Sequence, residues 1–194
     1  EVTSPLSGII SAMAPVEDIS HSVTPELDVD EDSVILVVKM NQKNRLAGSI
    51  FSEVTESKYT ETPDIDDVKL FKSLFNHIQK LIKDNKILAM HDISDGGLVT
   101  ALAEMCFTKK VGMEIQLGDT DDINKTLFSE EIGFVIQVKR DDLGMVKSSL
   151  SEINICAQEV ATITEKDFSI LSKEKEIFSE SITVLEKHWR ETSH

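Results

Sequence analysis

Residues 67–98 read DVKLFKSLFNHIQKLIKDNKILAMHDISDGGL, and their pattern indicates the fold class of this chain. Between residues 67 and 85 the apolar side chains recur at intervals of three and four, which predicts one buried stripe of an amphipathic helix. The stripe consists of Val68, Phe71, Leu74, Phe75, Ile78, Leu81 and Ile82. Asp67 is suited to cap the start of this helix. The apolar run 86–90 then predicts a strand, and a helix following the strand indicates α/β organisation.

The rest of the chain continues this alternation of strands and helices. Residues 34–38, VILVV, form a β-branched run typical of a strand covered on both faces. Further strands are predicted at 7–16, 112–117, 133–138, 155–163 and 168–171, and helices at 97–107, 119–129, 141–151 and from Ile182 to Trp189. Residues 46–54 are ambiguous between helix and strand.

The connections between these elements predict how the sheet is built. Several strand pairs are joined by too few residues for a parallel crossover, so we expect a mixed β-sheet layered with helices. No linker rich in Pro, Gly or Ser divides the chain, which favours a single domain over residues 1–194.

Composition excludes several classes of function. The 194 residues contain 20 Lys and Arg against 35 Asp and Glu, a formal net charge of −15. This charge disfavours nucleic acid and anionic membranes as partners. The longest apolar stretches are too short to cross a bilayer. Two distant cysteines support neither a disulfide scaffold nor a zinc site, and a cytoplasmic location is expected. A start at Glu1 without Met indicates a piece of a longer polypeptide.

The segment with most chemical content is residues 91–97, HDISDGG, between the predicted strand and helix. Free N–H groups at a helix start attract anions, and Gly96 and Gly97 would let a phosphate approach the main chain. A magnesium ion would reconcile phosphate with the acidic loop, so Asp92 is a candidate metal ligand and Ser94 a candidate phosphate donor. Alternatively, the segment is an ordinary turn whose Asp and Ser side chains, Asp95 among them, cap the helix.

Four other residues are weaker candidates. Glu130 and Glu131 could place a carboxylate beside a substrate or metal, although an acidic pair at the end of an element is more often solvated. His91 could contact a ligand, or simply bond to the backbone at a strand end. Cys106 has no nearby histidine in sequence and is interpreted as a core thiol.

Several stretches together resemble one enzyme family. Residues 91–105 (HDISDGGLVTALAEM) and 127–138 (LFSEEIGFVIQV) carry most of the likeness, and residues 4–18, 178–181 and 189–193 extend it nearly from end to end. They resemble the last synthetase subdomain of the large single-chain phosphoribosylformylglycinamidine synthases of purine biosynthesis.

The resemblance implies a fold and an activity. The fold would be like the C-terminal domain of aminoimidazole ribonucleotide synthetase, with partial ferredoxin-like similarity. Enzymes of this family are ligases and glutamine amidotransferases that convert formylglycinamide ribonucleotide, glutamine and ATP to formylglycinamidine ribonucleotide. The chain would be a B-type subdomain of such a ligase, inactive when isolated.

The resemblance also implies site residues and partners. Asp92 matches a magnesium ligand and Ser94 a residue that contacts nucleotide, in what would be an auxiliary ADP site. The partners would be the remaining synthetase and glutaminase domains of the parent chain, and the isolated domain could self-associate through the surface that they leave exposed.

Two alternatives remain open from the sequence. The chain could be the C-terminal domain of another ATP-dependent synthetase of the same superfamily, such as a hydrogenase maturation or selenophosphate synthesis protein. It could also be a non-catalytic ferredoxin-like interaction module, in which Asp92 and Ser94 would only cap the helix.

Overall fold

The computed structural model describes residues 9–16 and 18–191, and its centre is a mixed β-sheet. The strands are β1 (Ser33–Lys39), β2 (Ala89–Asp92), β3 (Gly112–Leu117), β4 (Gly133–Lys139), β5 (Ala157–Thr164), β6 (Asp167–Ser172) and β7 (Lys175–Ser181). The helices are α1 (Ile50–Val54), α2 (Val68–Lys83), α3 (Gly97–Phe107), α4 (Ile123–Phe128), α5 (Leu143–Ser151) and α6 (Ile182–Arg190). The structure confirms the expected mixed sheet layered with helices.

The sheet has the strand order β2-β4-β1-β5-β3-β6-β7. Strands β3 and β6 run parallel, whereas the other neighbouring pairs of described strands are antiparallel. The short β6–β7 connection joins one of these antiparallel pairs, as a tight turn can, whereas β5 and β6 lie on either side of β3 although few residues connect them.

Strand β1 lies in the interior of the sheet, between β4 and β5, and is covered on both faces. Ile35 and Val37 pack in the cluster that contains residues of α3, α4 and α6. Val34, Leu36 and Val38 pack in the opposite cluster with residues of α2 and α5. This confirms the prediction from the β-branched run, since such a strand has no solvated face for polar side chains.

Helix α2 covers one face of the sheet with the stripe that the sequence indicates. The Asp67 carboxylate accepts hydrogen bonds from the N–H groups of Lys69 and Leu70, as expected for an N-cap. The buried side chains of the helix are Leu74, Ile78, Leu81 and Ile82. Two members of the predicted stripe are not buried: Phe75 lies at its margin and is half-exposed, and Val68, at the first position of the helix, is mostly exposed.

Three elements differ from the sequence prediction in place or type. The strand expected at 86–90 begins three residues later, as β2, and therefore includes Asp92 as its last residue. The ambiguous residues 46–54 end in the short helix α1. Strand β7 was not predicted, because an edge strand with both faces exposed carries no alternation of apolar and polar residues.

The prediction of a buried strand at 7–16 is wrong for its described part. Residues 9–16 have no regular structure, and the side chains of Ile9 and Met13 are 97% and 95% exposed. Residues 7 and 8 lie outside the described residues. Apolar content indicates a tendency to be buried, but it does not specify what buries the segment, and the described sheet offers it no pairing partner.

Five strands bring their connecting loops to the same end of the sheet. Lys39 pairs with Gly133, and Asp92 with Phe134, so β1 and β2 end where β4 begins. Ala157, at the start of β5, lies opposite Val38, and β3 also ends on this side. We call this region the loop end, defined by residues 39–49, 92–97, 117–122 and 129–133. It gathers residues from four separate parts of the sequence.

The described helices also bear on membrane insertion. None of the helices within residues 9–16 and 18–191 combines the length and the apolar character that a transmembrane span requires.

Substitution of Leu74 tests the packing of α2 on the sheet. Leu74 is fully buried, so Leu74→Ala is expected to lower the free energy of unfolding by about 2 to 5 kcal/mol through lost burial and a residual cavity. Lys72→Ala, on the exposed side of the same helix, should change it by less than about 0.5 kcal/mol. Urea denaturation measures both, and equal effects of the two substitutions would contradict this packing.

Candidate functional site

Asp92 is an exposed acidic group at the junction between β2 and α3. It is the last residue of β2, and its side chain is 67% exposed. Its backbone carbonyl lies 2.7 Å from His91 Nδ1, and its Oδ1 lies 3.5 Å from the same nitrogen, so the imidazole holds the peptide of Asp92 beside a carboxylate that stays largely exposed. Ser94 and Asp95 are also exposed. This corner of the loop end is therefore open to a ligand.

The start of α3 does not use the acidic side chains of this loop as caps. Gly96 occupies the N-cap position and has no side chain with which to cap the helix. Gly96 has φ +83°, a conformation that strongly favours glycine. The proposed turn with Asp and Ser caps is not what this loop forms, since Ser94 contributes its backbone carbonyl instead, accepting from the Gly97 N–H at 2.9 Å.

Gly97 has a packing role of its own. A Cβ at this position would lie 2.6 Å from the backbone carbonyl carbon of Phe128, so glycine allows α3 to approach the end of α4. Gly97 is also buried, whereas Gly96 is partly exposed. Direct phosphate contact at the two glycines stays a prediction.

Glu130 binds two helix starts at once. Its Oε1 accepts hydrogen bonds from the N–H of Gly96 and from the N–H of Ile50, each at 2.9 Å. The carboxylate is favoured there because both amides lie at the positive ends of helices. Glu130 thus occupies part of the position that the sequence assigned to a phosphate, so a phosphate at Gly96 would have to displace it.

Glu131 is buried, in contrast to the solvated boundary considered from the sequence. Its side chain is 0% exposed, and its Oε1 lies 2.7 Å from Arg45 Nε and 3.0 Å from the Arg45 backbone N–H. Its Oε2 accepts from Arg45 and from Asn41. Burial alone would raise the pKa of Glu131, but the hydrogen bonds from Arg45 and Asn41 outweigh it and lower the pKa.

The ion pair extends to a third element of the chain. The Arg45 guanidinium also binds Asp66, with Nη2 2.9 Å from Oδ2, and Lys43 binds the same carboxylate at 3.0 Å. The network holds the segment after β1 against both the turn before β4 and the segment before α2. Sequence inspection missed it, because its partners are up to 86 residues apart.

His91 takes part in a chain of side-chain contacts that reaches α6. Its Nε2 lies 2.9 Å from Glu104 of α3, and the other carboxylate oxygen of Glu104 accepts from the Trp189 indole N–H at 2.7 Å. The sequence-based interpretation of a histidine bonded to the backbone is confirmed at Nδ1, and the second contact adds a tie between β2 and two helices.

Lys39 is a buried amine that the sequence analysis did not identify. It ends β1 with 6% of its surface exposed, and its Nζ binds Asn44 Oδ1 at 3.1 Å and Ser129 Oγ at 3.3 Å. Burial lowers the pKa of Lys39 to about 8, against an opposing effect of nearby Glu131. The available signal was its position, since side chains alternate along β1 and residue 39 shares a face with Ile35 and Val37.

Lys39 lines a cleft of about 580 Å³. The apolar part of its lining comes from β1, α3, β3 and β5: Val37, Leu98, Leu117 and Val160. Its polar rim comes from residues 42–44 and from the segment 118–126. The cleft is next to the start of α3 but does not include Asp92 or Ser94.

The cysteines agree with the prediction for Cys106. It is fully buried, donates to the Leu102 carbonyl at 3.3 Å, and burial raises the pKa of its thiol to about 12. Cys156 is also free and is exposed. Cys106 is therefore a core thiol, held in a form that is a poor nucleophile.

The metal-binding capacity of the described residues is limited. Within residues 9–16 and 18–191, three or more His, Cys, Asp or Glu side chains do not converge in one place that could hold an ion. Asp92 can supply one exposed carboxylate, which fits magnesium only if phosphate, water or another part of the protein provides the remaining oxygens.

Comparison with known families and structures identifies the domain. Residues 30–173 match the family model described as "AIR synthase related protein, C-terminal domain". The chain belongs to this family. The matched region runs from just before β1 to the turn after β6, and it contains Asp92, Ser94 and the whole loop end.

Solved structures share the fold at low identity. Thermotoga maritima PurL complexed with ATP has a TM-score of 0.65 and 13% identity, with 86% of this chain and 27% of that chain covered. The same protein complexed with FGAR gives 0.68 and 12%, with 86% and 30% covered. A HypE–HypF complex gives 0.52 and 15%, with 78% and 52% covered. The chain thus spans less than a third of the PurL chains that it matches.

Substitution of Glu131 tests the buried ion pair. Glu131→Gln removes a buried charge opposite Arg45 and should lower the free energy of unfolding by roughly 2 to 3 kcal/mol. This loss is smaller than is usual for a broken buried ion pair, because Arg45 stays bound to Asp66. Glu165→Gln, at an exposed position, is the control. Because the folded-state pKa of Glu131 is lowered, its contribution should be present above about pH 4.5 and lost as pH falls through the folded pKa. A Glu131→Gln protein with unchanged stability at pH 7 would contradict the pairing.

Substitution of Lys39 tests the energetic penalty of the buried amine. The pKa of the Lys39 amine is 10.5 in the unfolded chain and about 8 in the folded protein. The charged buried amine therefore destabilises the fold fully below pH 8, and this destabilisation disappears as pH rises to 10.5. Lys39→Met should therefore stabilise the protein at pH 7 by about 1 to 3 kcal/mol, after the loss of two hydrogen bonds. The gain should shrink by pH 9.5, whereas the exposed control Lys80→Met should show no such pH dependence in denaturation experiments. A destabilised Lys39→Met protein at pH 7 would refute the penalty.

Proposed function

We propose that this chain is a synthetase subdomain of a phosphoribosylformylglycinamidine synthase. In this proposal the parent enzyme converts formylglycinamide ribonucleotide, glutamine and ATP to formylglycinamidine ribonucleotide, and the subdomain contributes to a magnesium-nucleotide site of the auxiliary ADP type. Family membership and the likeness to PurL structures complexed with ATP, ADP and FGAR support the proposal.

The observation that carries the proposal is the open corner at Asp92. An exposed carboxylate at the end of a strand, followed by an exposed hydroxyl and a helix start, is an arrangement that a magnesium-bound polyphosphate can approach. Asp92 would bind the magnesium ion and Ser94 would donate its hydroxyl to a phosphate oxygen. The ion, when bound, would neutralise phosphate charge beside the acidic loop.

The glycines and Glu130 define how far a phosphate can approach. Gly96 N–H would become available if the Glu130 carboxylate moved away, whereas Gly97 is needed against the backbone of α4. The nucleotide contact in this proposal therefore centres on Asp92 and Ser94, with Gly96 as a further donor after displacement of Glu130.

The remainder of the site must come from other parts of the parent protein. One carboxylate cannot satisfy magnesium, and the exposed apolar side chains of residues 9–16 are suited to packing against a neighbouring domain. The remaining synthetase and glutaminase domains of the parent chain are the proposed partners, and self-association of the isolated domain through the same surface is a further expectation. The isolated chain should accordingly show no amidine-forming activity.

The site can be tested by comparing two neighbouring aspartates in the full-length enzyme. Asp92→Asn should weaken magnesium-ADP binding by at least about tenfold, a loss of roughly 1.4 kcal/mol, because an amide is a poor magnesium ligand. Asp95→Asn lies in the same exposed loop and should leave the affinity unchanged. Calorimetric titration with magnesium-ADP measures both affinities.

Two outcomes would contradict the proposal. Unchanged magnesium-ADP affinity in the Asp92→Asn enzyme would leave Asp92 as a structural loop residue, as the interaction-module alternative requires. Turnover of formylglycinamide ribonucleotide with ATP and ammonia by the isolated 194-residue chain would show that the site is complete without its partners.

A further inference from the structure

The cleft beside Lys39 contains a buried positive charge without a matching negative charge. A lysine amine has three donors, and the described partners of Lys39 Nζ are two neutral oxygens, of Asn44 and Ser129. The nearest carboxylate that influences it, Glu131, has both oxygens engaged by Arg45 and Asn41. A buried charge is normally paired, since removal from water is costly.

We propose that the cleft binds a small molecule through a single anionic oxygen group, a carboxylate or a phosphate, that pairs with Lys39. The bound group would supply the counter-charge that the chain itself does not provide to Nζ. This site is separate from the magnesium-nucleotide corner, because the cleft is lined by neither Asp92 nor Ser94.

The lining of the cleft restricts the rest of the ligand. A volume of about 580 Å³ is in the range of pockets that hold small metabolites. Asp119 and Asp121 lie exposed on the rim, whereas Asp122 accepts from the Lys125 N–H and Glu159 pairs with Lys147. Of the lysines on the same rim, Lys43 is paired with Asp66 and Lys125 is exposed, so the rim carries two exposed aspartates against one exposed lysine. This balance disfavours a polyanion and favours hydroxyl or ammonium groups on the outer part of the ligand.

The apolar residues of the cleft restrict it further. Val37, Leu98, Leu117 and Val160 offer carbon surface, so the middle of the ligand can be apolar. The ligand class is therefore a small molecule with one anionic group, an apolar middle and polar groups at its other end. Inorganic phosphate and acetate represent the two anionic groups and serve as probes.

The test compares thermal unfolding of three proteins with each probe at constant ionic strength set by sodium chloride. A ligand that binds only the folded state raises the melting temperature. Phosphate or acetate should raise it by several degrees in the unmodified chain and in Lys80→Met, an exposed lysine of α2 on the opposite face of the sheet. Lys39→Met should show no rise in melting temperature with either probe. The probe that raises the melting temperature of the unmodified chain identifies whether the site binds a phosphate or a carboxylate.

Two results would overturn the proposal. One is a melting temperature that neither probe changes in any of the proteins. The other is a rise that persists in Lys39→Met, which would place the anion elsewhere, such as at the start of α3. The Asp92→Asn titration is unaffected by either result, so failure of this proposal is distinguishable from failure of the proposed function.

A second measurement applies if Lys39→Met does not fold. Methyl resonances of Val37, Leu98 and Leu117 in the unmodified chain should shift on titration with the active probe, because these side chains line the cleft. Methyl groups of Leu74 and Ile78, which pack on the other face, should not shift. Equal shifts on both faces, or none near the cleft, would refute the site.

Discussion

The buried pair of Arg45 and Glu131 is the interaction on which the loop end depends. It fixes the segment after β1 against the turn before β4, at a carboxylate that is fully removed from solvent. Asn44 lies next to Arg45 and accepts from Lys39, so the same pair sets one wall of the cleft. Glu130, next to Glu131, faces the other way and binds the starts of α1 and α3. The carboxylates of Glu130 and Glu131 thus hold in place the segments that form the cleft and the open corner at Asp92.

The sequence predicts those elements of the fold whose signal is local. Helix α2 has a stripe and a cap within 17 residues, and β1 has an unbroken β-branched run, so both are confirmed. Strand β7 is exposed on both faces and has no periodic signal. Residues 9–16 have a strong apolar signal but no described partner, and there the prediction was wrong. Periodicity shows what a segment can bury, whereas pairing depends on the rest of the chain.

The candidate site also has one part that the sequence predicts and another part that depends on contacts between distant residues. The loop with Asp92, Ser94, Gly96 and Gly97 is contiguous, and its place between a strand and a helix follows from the sequence. The roles of Glu130, Glu131 and Lys39 depend on contacts with residues 34 to 90 positions away. An acidic pair at the end of an element gives no indication from sequence alone that one member is buried and the other binds helix amides.

The charges at the loop end determine how anions can bind there. Lys43 and Arg45 are neutralised by Asp66 and Glu131, and the start of α3 is occupied by Glu130. In a chain of net charge −15, this leaves little positive charge to attract polyphosphate without a divalent ion. Lys39 is different, because its charge is buried and poorly screened by salt. The two proposed sites, magnesium-dependent at Asp92 and metal-independent at Lys39, would therefore be separable although both lie at one end of the sheet.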